Sequence, residues 1–139
     1  FDSIDSVDSV KLLNKINTYA AKINKKIDVM LEYNSSKDEN KTGFETYEEI
    51  REAASLSKQL EYVNLTGIMT IGPLNASEKE IRDAFKLVHD VKIKLEKDLK
   101  IEIKHLSMGM SGDYKIAIEE GSTIIRVGTK IFGNRDYSK

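Results

Sequence analysis

The chain has 139 residues, and its 22 basic and 23 acidic side chains leave a formal net charge of −1. Hydrophobic residues make up 40% of it, which suffices for one ordinary core and argues against a second domain. The lysines are scattered rather than gathered in one block, which argues against nucleic-acid or membrane-surface binding. The absence of cysteine and of any long apolar run fits a soluble cytoplasmic protein.

Short apolar runs alternate with amphipathic helical patterns, which predicts strand-helix units and a parallel sheet. A first strand is predicted at residues 4–7, followed by a helix that Asp8 or Ser9 can cap. The apolar positions of this helix are Leu12, Leu13, Ile16, Ala20 and Ile23. The second strand is predicted at residues 29–33.

Two pairs of residues have the spacing of a capping box, in which a Ser or Thr and a Glu three residues later satisfy the first amides of a helix. Thr46 with Glu49 predicts the start of the second helix, and Ser77 with Glu80 predicts the start of the third. A strand is expected between these helices, at residues 65–71.

The last third of the chain repeats the alternation in shorter pieces. A strand is predicted at residues 101–108, a helix at residues 111–120 and a fifth strand at residues 124–127. Gly121 can end that helix in a left-handed conformation, and the preceding Glu119-Glu120 pair is typical of a solvated helix face. One helical turn is expected at residues 130–133.

Two glycine-containing segments, at residues 106–113 and 121–133, place small residues just after a strand. Free backbone amides and a helix dipole favour an anion at such positions, and the last loops of a β/α barrel often bind phosphate. Ser111, Gly128 and Thr129 are therefore the predicted phosphate donors. The alternative is that the glycines of these segments only permit tight turns.

Five motifs in order extend over the chain: SVDS at residues 6–9, Asn34 followed by Lys41 and Gly43, GIMTIGP at residues 67–73, SMGMS at residues 107–111, and RVGT at residues 126–129 continuing through Tyr137. With these motifs the whole chain resembles the C-terminal part of the pyridoxal-phosphate homeostasis proteins, whose fold is like the N-terminal barrel of alanine racemase.

The resemblance implies the C-terminal portion of an α/β (β/α)8 TIM barrel, with about five strand-helix units forming one partial domain over residues 1–139. It also implies a pyridoxal-5′-phosphate carrier without established turnover. In this family a lysine on an early strand forms a Schiff base with the cofactor, and we expect that strand to precede Phe1. Five strands cannot close a barrel of eight, so self-association or an N-terminal fragment is expected to cover the open edges.

Arg126 is the predicted neighbour of the cofactor's pyridine nitrogen, as the resemblance implies. It lies two residues before Gly128, which on a strand places both on the same face. A guanidinium stays charged and accepts no proton, so it would discourage ring protonation and disfavour carbanion chemistry. The alternative is that Arg126 is a surface ion-pair partner.

Four further residues are predicted to line the cofactor pocket. Asn34 and Met69 end their strands on the rim where barrel ligands bind, although either could be structural, as a turn former and a core filler respectively. Ser107 and Met110 belong to the SMGMS motif of the resemblance.

Two other functions remain open from the sequence. One is a racemase-like enzyme on the same barrel, although racemases of this fold add a C-terminal β domain, which we do not expect here because the sequence stops soon after Tyr137. The other is a barrel that binds a different phosphorylated ligand. His89 and His105 stand alone in the sequence, so no metal site or catalytic triad is predicted.

Overall fold

The computed structural model describes residues 3–35, 43–73, 76–110 and 113–126. Strands and helices alternate along these ranges: β1 Ser3–Val7, α1 Val10–Lys22, β2 Ile27–Glu32, α2 Tyr47–Gln59, β3 Val63–Met69, α3 Glu78–Leu99, β4 His105–Met110, α4 Tyr114–Glu119 and β5 Ile124–Arg126. The strands form one parallel sheet in the order β1-β2-β3-β4-β5. Among these helices, none combines the length and the apolar composition that crossing a membrane requires.

The sequential strand order determines where the core lies. Right-handed crossovers between successive parallel neighbours place every connecting helix on the same face of the sheet. On that face Leu31, Ile68 and Leu106 are register partners across β2, β3 and β4, and all three are fully buried. They share one core with the helix residues Ile50 and Phe85. A parallel sheet covered by helices on one face is the wall of a β/α barrel, so the predicted partial barrel is confirmed.

The first helix follows its predicted pattern except at its end. Ser9, and not Asp8, caps α1 by accepting a hydrogen bond from the Leu12 amide at 3.0 Å. The buried residues of this helix are Leu13, Ile16 and Ala20. Ile23 was expected on the same apolar stripe, but it is the C-cap residue and is 43% exposed.

The second and third strands are each shifted toward the N-terminus relative to prediction. β2 begins at Ile27 instead of residue 29 and ends at Glu32. The next residue, Tyr33, lies outside the strand and forms an isolated bridge to Phe44. β3 ends at Met69, so the prediction of strand for residues 70–71 is wrong. Strand bounds depend on which backbone groups find a partner across the sheet, which periodicity alone does not fix.

The fourth strand begins at His105, four residues later than predicted. The intervening residues instead close the end of α3. Lys100 adopts a left-handed conformation with φ of 54°, and the Ile103 amide donates to a carboxylate oxygen of Glu96 at 2.9 Å. Because the bond to Glu96 occupies the Ile103 amide, pairing with the sheet begins only at His105.

The helix starts confirm one capping box fully and the other in part. Ser77 and Glu80 exchange both expected hydrogen bonds, at 3.2 and 2.9 Å. Thr46 accepts from the Glu49 amide at 3.2 Å, but the Glu49 carboxylate accepts from the Glu45 amide instead of that of Thr46. Both helices nevertheless begin where the sequence predicts.

The predicted helix at residues 111–120 is shorter, since α4 spans Tyr114–Glu119. Gly121 then has φ of +102°, which confirms the predicted left-handed end. The turn predicted at residues 130–133 lies outside the described residues.

An arginine joins α3 to α4. Arg82 donates to Glu119 and to Glu120, each at 2.7 Å, and to Glu78 at 3.0 Å. These hydrogen bonds, that to Glu119 first, raise the pKa of Arg82. The Glu119 side chain is 60% exposed but that of Glu120 only 13%, so the expectation of a solvated acidic face is wrong for Glu120.

Candidate functional site

A row of side chains crosses three strands on the face opposite the helices. Glu32, Met69 and Ser107 are register partners on β2, β3 and β4. Successive strand residues point to opposite faces, so this row faces away from the core residues that precede each member. All three are buried, with exposed fractions of 5%, 6% and 2%. Two of the predicted pocket residues, Met69 and Ser107, therefore lie side by side.

Asn34 follows β2 and lies two residues after Glu32, the member of this row on that strand. It is 3% exposed, and its amide donates to the Phe44 carbonyl at 2.8 Å. The Phe44 amide in turn donates to the Glu32 carbonyl at 2.8 Å, so the chain returns to β2 immediately after its loop. Gly43 permits this return, because it has φ of +118° and a Cβ there would lie 2.8 Å from the Asn34 nitrogen.

A buried network ties the ends of β2 and β3 to Ser107 within β4. The Thr70 hydroxyl donates to the Tyr33 carbonyl at 2.7 Å and lies 2.8 Å from the Ser35 hydroxyl. The Thr70 amide donates to the Ser107 carbonyl at 3.0 Å. Thr70 is fully buried and Ser35 is 6% exposed. The predicted pocket residues Asn34, Met69 and Ser107 are therefore held at one rim.

The predicted residues from the last two segments are described only in part. Met110 and Arg126 are register partners at the ends of β4 and β5, which brings their backbones to the same rim. Their side chains lie outside the described part of the structure. Ser111, Gly128 and Thr129 also lie outside the described residues, so their assignment as phosphate donors stays a prediction.

The residues just before β5 join it to β4. The Leu106 amide donates to the Thr123 hydroxyl at 2.8 Å, and the Thr123 amide donates to the Leu106 carbonyl at 2.9 Å. The Ser122 hydroxyl lies 2.8 Å from the Met108 carbonyl, between the two strands. These contacts position β5, and with it Arg126, beside β4.

The loop after β3 approaches the segment after β4. A Cβ at the buried Gly72 would lie 3.1 Å from the Phe85 ring and 3.3 Å from a carboxylate oxygen of Asp113. Asp113 is the last residue of the predicted phosphate segment, which also contains Ser111. The ends of β3 and β4 therefore share one side of the molecule, as the prediction of a common rim requires.

Sequence reasoning missed Glu32, Ser35 and Thr70 at this rim. Glu32 follows the apolar run VML, and an acid there is a visible signal for a buried polar position. Ser35 and Thr70 gave no such signal, because their pairing depends on how β2 and β3 align. In the described ranges no group of three or more His, Asp or Glu side chains is arranged to hold a metal ion.

The family model described as "Alanine racemase, N-terminal domain" matches residues 4–136. Among curated relatives, the pyridoxal phosphate homeostasis protein of Vibrio alginolyticus is 40% identical over 139 residues, which cover 99% of this chain and 58% of that protein. The human protein of the same name is 37% identical over 142 residues, which cover 98% of this chain and 51% of that protein. The chain thus spans about half the length of the curated relatives it matches.

Two solved structures extend the comparison. PipY of Synechococcus elongatus PCC7942 with PLP bound is 31% identical, with a TM-score of 0.83, and the match covers 96% of this chain and 61% of that one. An alanine racemase of Clostridium difficile 630 is 19% identical with a TM-score of 0.76, over 98% of this chain and 37% of that one, which supports the fold alone. The predicted resemblance is confirmed, and the chain belongs to the alanine racemase N-terminal domain family.

Proposed function

We propose that the chain binds pyridoxal-5′-phosphate at the rim where its strands end, as a cytoplasmic carrier that buffers the free cofactor without turnover. The observation that carries this proposal is the polarity of the buried rim, where Asn34 and Ser107 are 3% and 2% exposed. A few fixed polar groups in a concave site suit a small polar ligand. The PLP-bound structure of PipY supports the choice of cofactor.

The proposed site divides the cofactor between two sets of residues. Ser111, Gly128 and Thr129 bind the phosphate through backbone amides and hydroxyls, and Arg126 approaches the ring nitrogen. The ring lies against Asn34, Met69, Ser107 and Met110. The register pairing of Met110 with Arg126 supports this division, because it places the ends of β4 and β5 at the same height.

We propose that residues 1–139 supply the phosphate and ring contacts of a partial barrel, while the Schiff-base lysine belongs to an earlier strand. The chain then holds the cofactor without a covalent bond at the predicted site. A protein extended by the preceding strands is expected to show a Schiff-base absorption band that borohydride traps. Freshly purified extended protein without any cofactor would contradict the carrier proposal.

Equilibrium dialysis of this chain against pyridoxal phosphate tests the site directly. Asn34→Ala should weaken binding severalfold by removing a rim contact of the ring. Asn64→Ala is the matched control, because Asn64 is exposed at the opposite end of the sheet and bonds to Asp28. Equal affinities of the two variants would place the ligand elsewhere, and no binding by the unaltered chain would refute the proposal.

A racemase-like enzyme is the alternative, favoured by the match to the racemase domain family over residues 4–136. It requires that the protein interconvert amino-acid enantiomers when supplied with pyridoxal phosphate, which chiral chromatography measures. A barrel for another phosphorylated ligand is the third possibility. Competition between inorganic phosphate and pyridoxal phosphate separates it, because a generic phosphate site would not prefer the cofactor.

We also infer that the β1 edge is covered by another strand, through self-association or an N-terminal fragment. β1 is the terminal strand of the described sheet, and Tyr19 and Ile23 on the neighbouring helix are 53% and 43% exposed. Unpaired edges and exposed apolar side chains favour association. Light scattering across a concentration series should give a mass above that of one chain, and a constant single-chain mass would exclude self-association.

A further inference from the structure

Thr70 bonds to two neighbouring strands at once. It is the first residue after β3, and its side chain is fully buried. Its hydroxyl donates to the Tyr33 carbonyl beyond β2 at 2.7 Å, and its amide donates to the Ser107 carbonyl of β4 at 3.0 Å. One residue therefore links the ends of β2 and β3 to Ser107 within β4.

The direction of the bond to Ser35 follows from the count of hydrogens. A threonine hydroxyl has one hydrogen, and that of Thr70 is directed to the Tyr33 carbonyl. In the 2.8 Å contact between the two hydroxyls, Ser35 is therefore the donor and Thr70 the acceptor. The contacts of Thr70 thus bind the residues on both sides of Asn34, namely Tyr33 and Ser35.

The same contacts reach the other predicted pocket residues. Met69 directly precedes Thr70, and its carbonyl accepts from the Tyr33 amide at 2.9 Å. The Ser107 carbonyl accepts a hydrogen bond from the Thr70 amide. We propose that Thr70 is the positioning residue of the pocket: it fixes Asn34, Met69 and Ser107 relative to one another without touching the ligand itself. The part of this inference that concerns the ligand rests on the proposed cofactor site.

A matched control exists on the same strand. Thr66 of β3 also donates its hydroxyl to a β2 carbonyl, that of Val29, at 3.2 Å. Both bonds link residues 37 positions apart, but Thr66 lies within β3, four residues before Thr70. If Thr70 only strengthened the β2–β3 pairing, Thr70→Val and Thr66→Val would have the same consequences.

Amide hydrogen exchange of the chain without ligand tests the positioning role first. Thr70→Val should speed exchange at Tyr33, Asn34 and residue 70 itself by about fivefold or more, since it removes the hydroxyl that bonds to the Tyr33 carbonyl and to the Ser35 hydroxyl. Thr66→Val should leave these three amides near their original rates. Similar exchange at the rim in both variants would overturn the proposal.

Binding tests the consequence for the site. Thr70→Val should weaken pyridoxal phosphate binding about fivefold to tenfold, Thr66→Val less than twofold, and Thr70→Ser should retain most of the affinity. Inorganic phosphate should bind all variants alike, because its predicted donors lie on other segments. Equal cofactor affinities for the two valine variants would refute the positioning role. A change in exchange with no cofactor binding by the unaltered chain would refute the proposed function alone.

Discussion

Replacing Gly67 with alanine should damage the sheet next to the candidate site. Gly67 is paired with Met30 on β2 and with His105 on β4, one layer below the row that contains Met69. A Cβ at this position would lie 2.6 Å from the His105 carbonyl oxygen and 2.9 Å from the Met30 sulfur. Ordinary contacts between such atoms need about 3.5 Å, so β3 and β4 would have to separate.

The loss of stability in Gly67→Ala depends on which of the contacted atoms can move away from the new Cβ. The Met30 side chain is flexible and can yield, whereas the His105 oxygen belongs to the backbone of the adjacent strand. Overpacking of this kind costs about 1–3 kcal/mol. For a chain of this size the melting temperature should fall by about 4–10 °C. Because Met69 pairs with Ser107 two residues further along the same ladder, cofactor binding should weaken as well.

Thermal unfolding followed by circular dichroism measures the first effect, and equilibrium dialysis at a temperature where the variant is folded measures the second. Gly72→Ala is the control, since its Cβ would meet only side chains, at 3.1 Å from the Phe85 ring and 3.3 Å from Asp113. That variant should lose less than about 1 kcal/mol. A Gly67→Ala protein as stable as the original would refute the argument from strand spacing.

Three smaller predictions concern the helices. Arg82→Ala should lower the melting temperature by releasing the carboxylates of α4, and added salt should reduce the difference; a salt-independent loss would contradict an electrostatic origin. Burial and then the bond to Asp98 raise the pKa of Tyr47 to about 12, so its stabilising effect should be complete below pH 10.0 and disappear as the pH rises through about 12. Urea unfolding should show a steeper decline over that interval than in Tyr47→Phe, and parallel curves would exclude the effect. Ser77→Ala should cost about 1 kcal/mol by the same assay, and no loss would deny the capping box a role.

The parts of the fold that the sequence predicts are those set by local chemistry. The helix starts at Ser9, Thr46 and Ser77 depend on side chains bonding to amides three residues away, so the signal lies within a single turn. The start of β4 was predicted four residues early, because Glu96 seven residues before Ile103 captures its amide. Such a bond depends on the conformation at the end of α3, which the apolar pattern does not encode.

The residues of the candidate site also fall into those that the sequence predicts and those that depend on contacts between strands. Asn34 and Met69 could be assigned to one rim from the sequence, since parallel strands in a barrel end on the same side, whereas Ser107 could be assigned only through the family resemblance. Thr70 could not be assigned, because its role depends on a register in which residue 70 meets both Tyr33 and Ser107. Periodicity gives the face of each side chain but not the partner across the strand.

The two layers of the concave face explain why a ligand would bind at the rim and not deeper in the sheet. In the lower layer, the space above Gly67 is already occupied by the Met30 sulfur and the His105 carbonyl. In the upper layer, Met69 is followed by Thr70, which is buried and hydrogen bonded to Ser107. Because these atoms fill the lower layer, a ligand cannot enter it. The same contacts set the spacing between β3 and β4 on which the upper layer depends. A change at Gly67 should therefore affect binding through the register of β3 and β4, and a change at Thr70 should affect it through the rim alone.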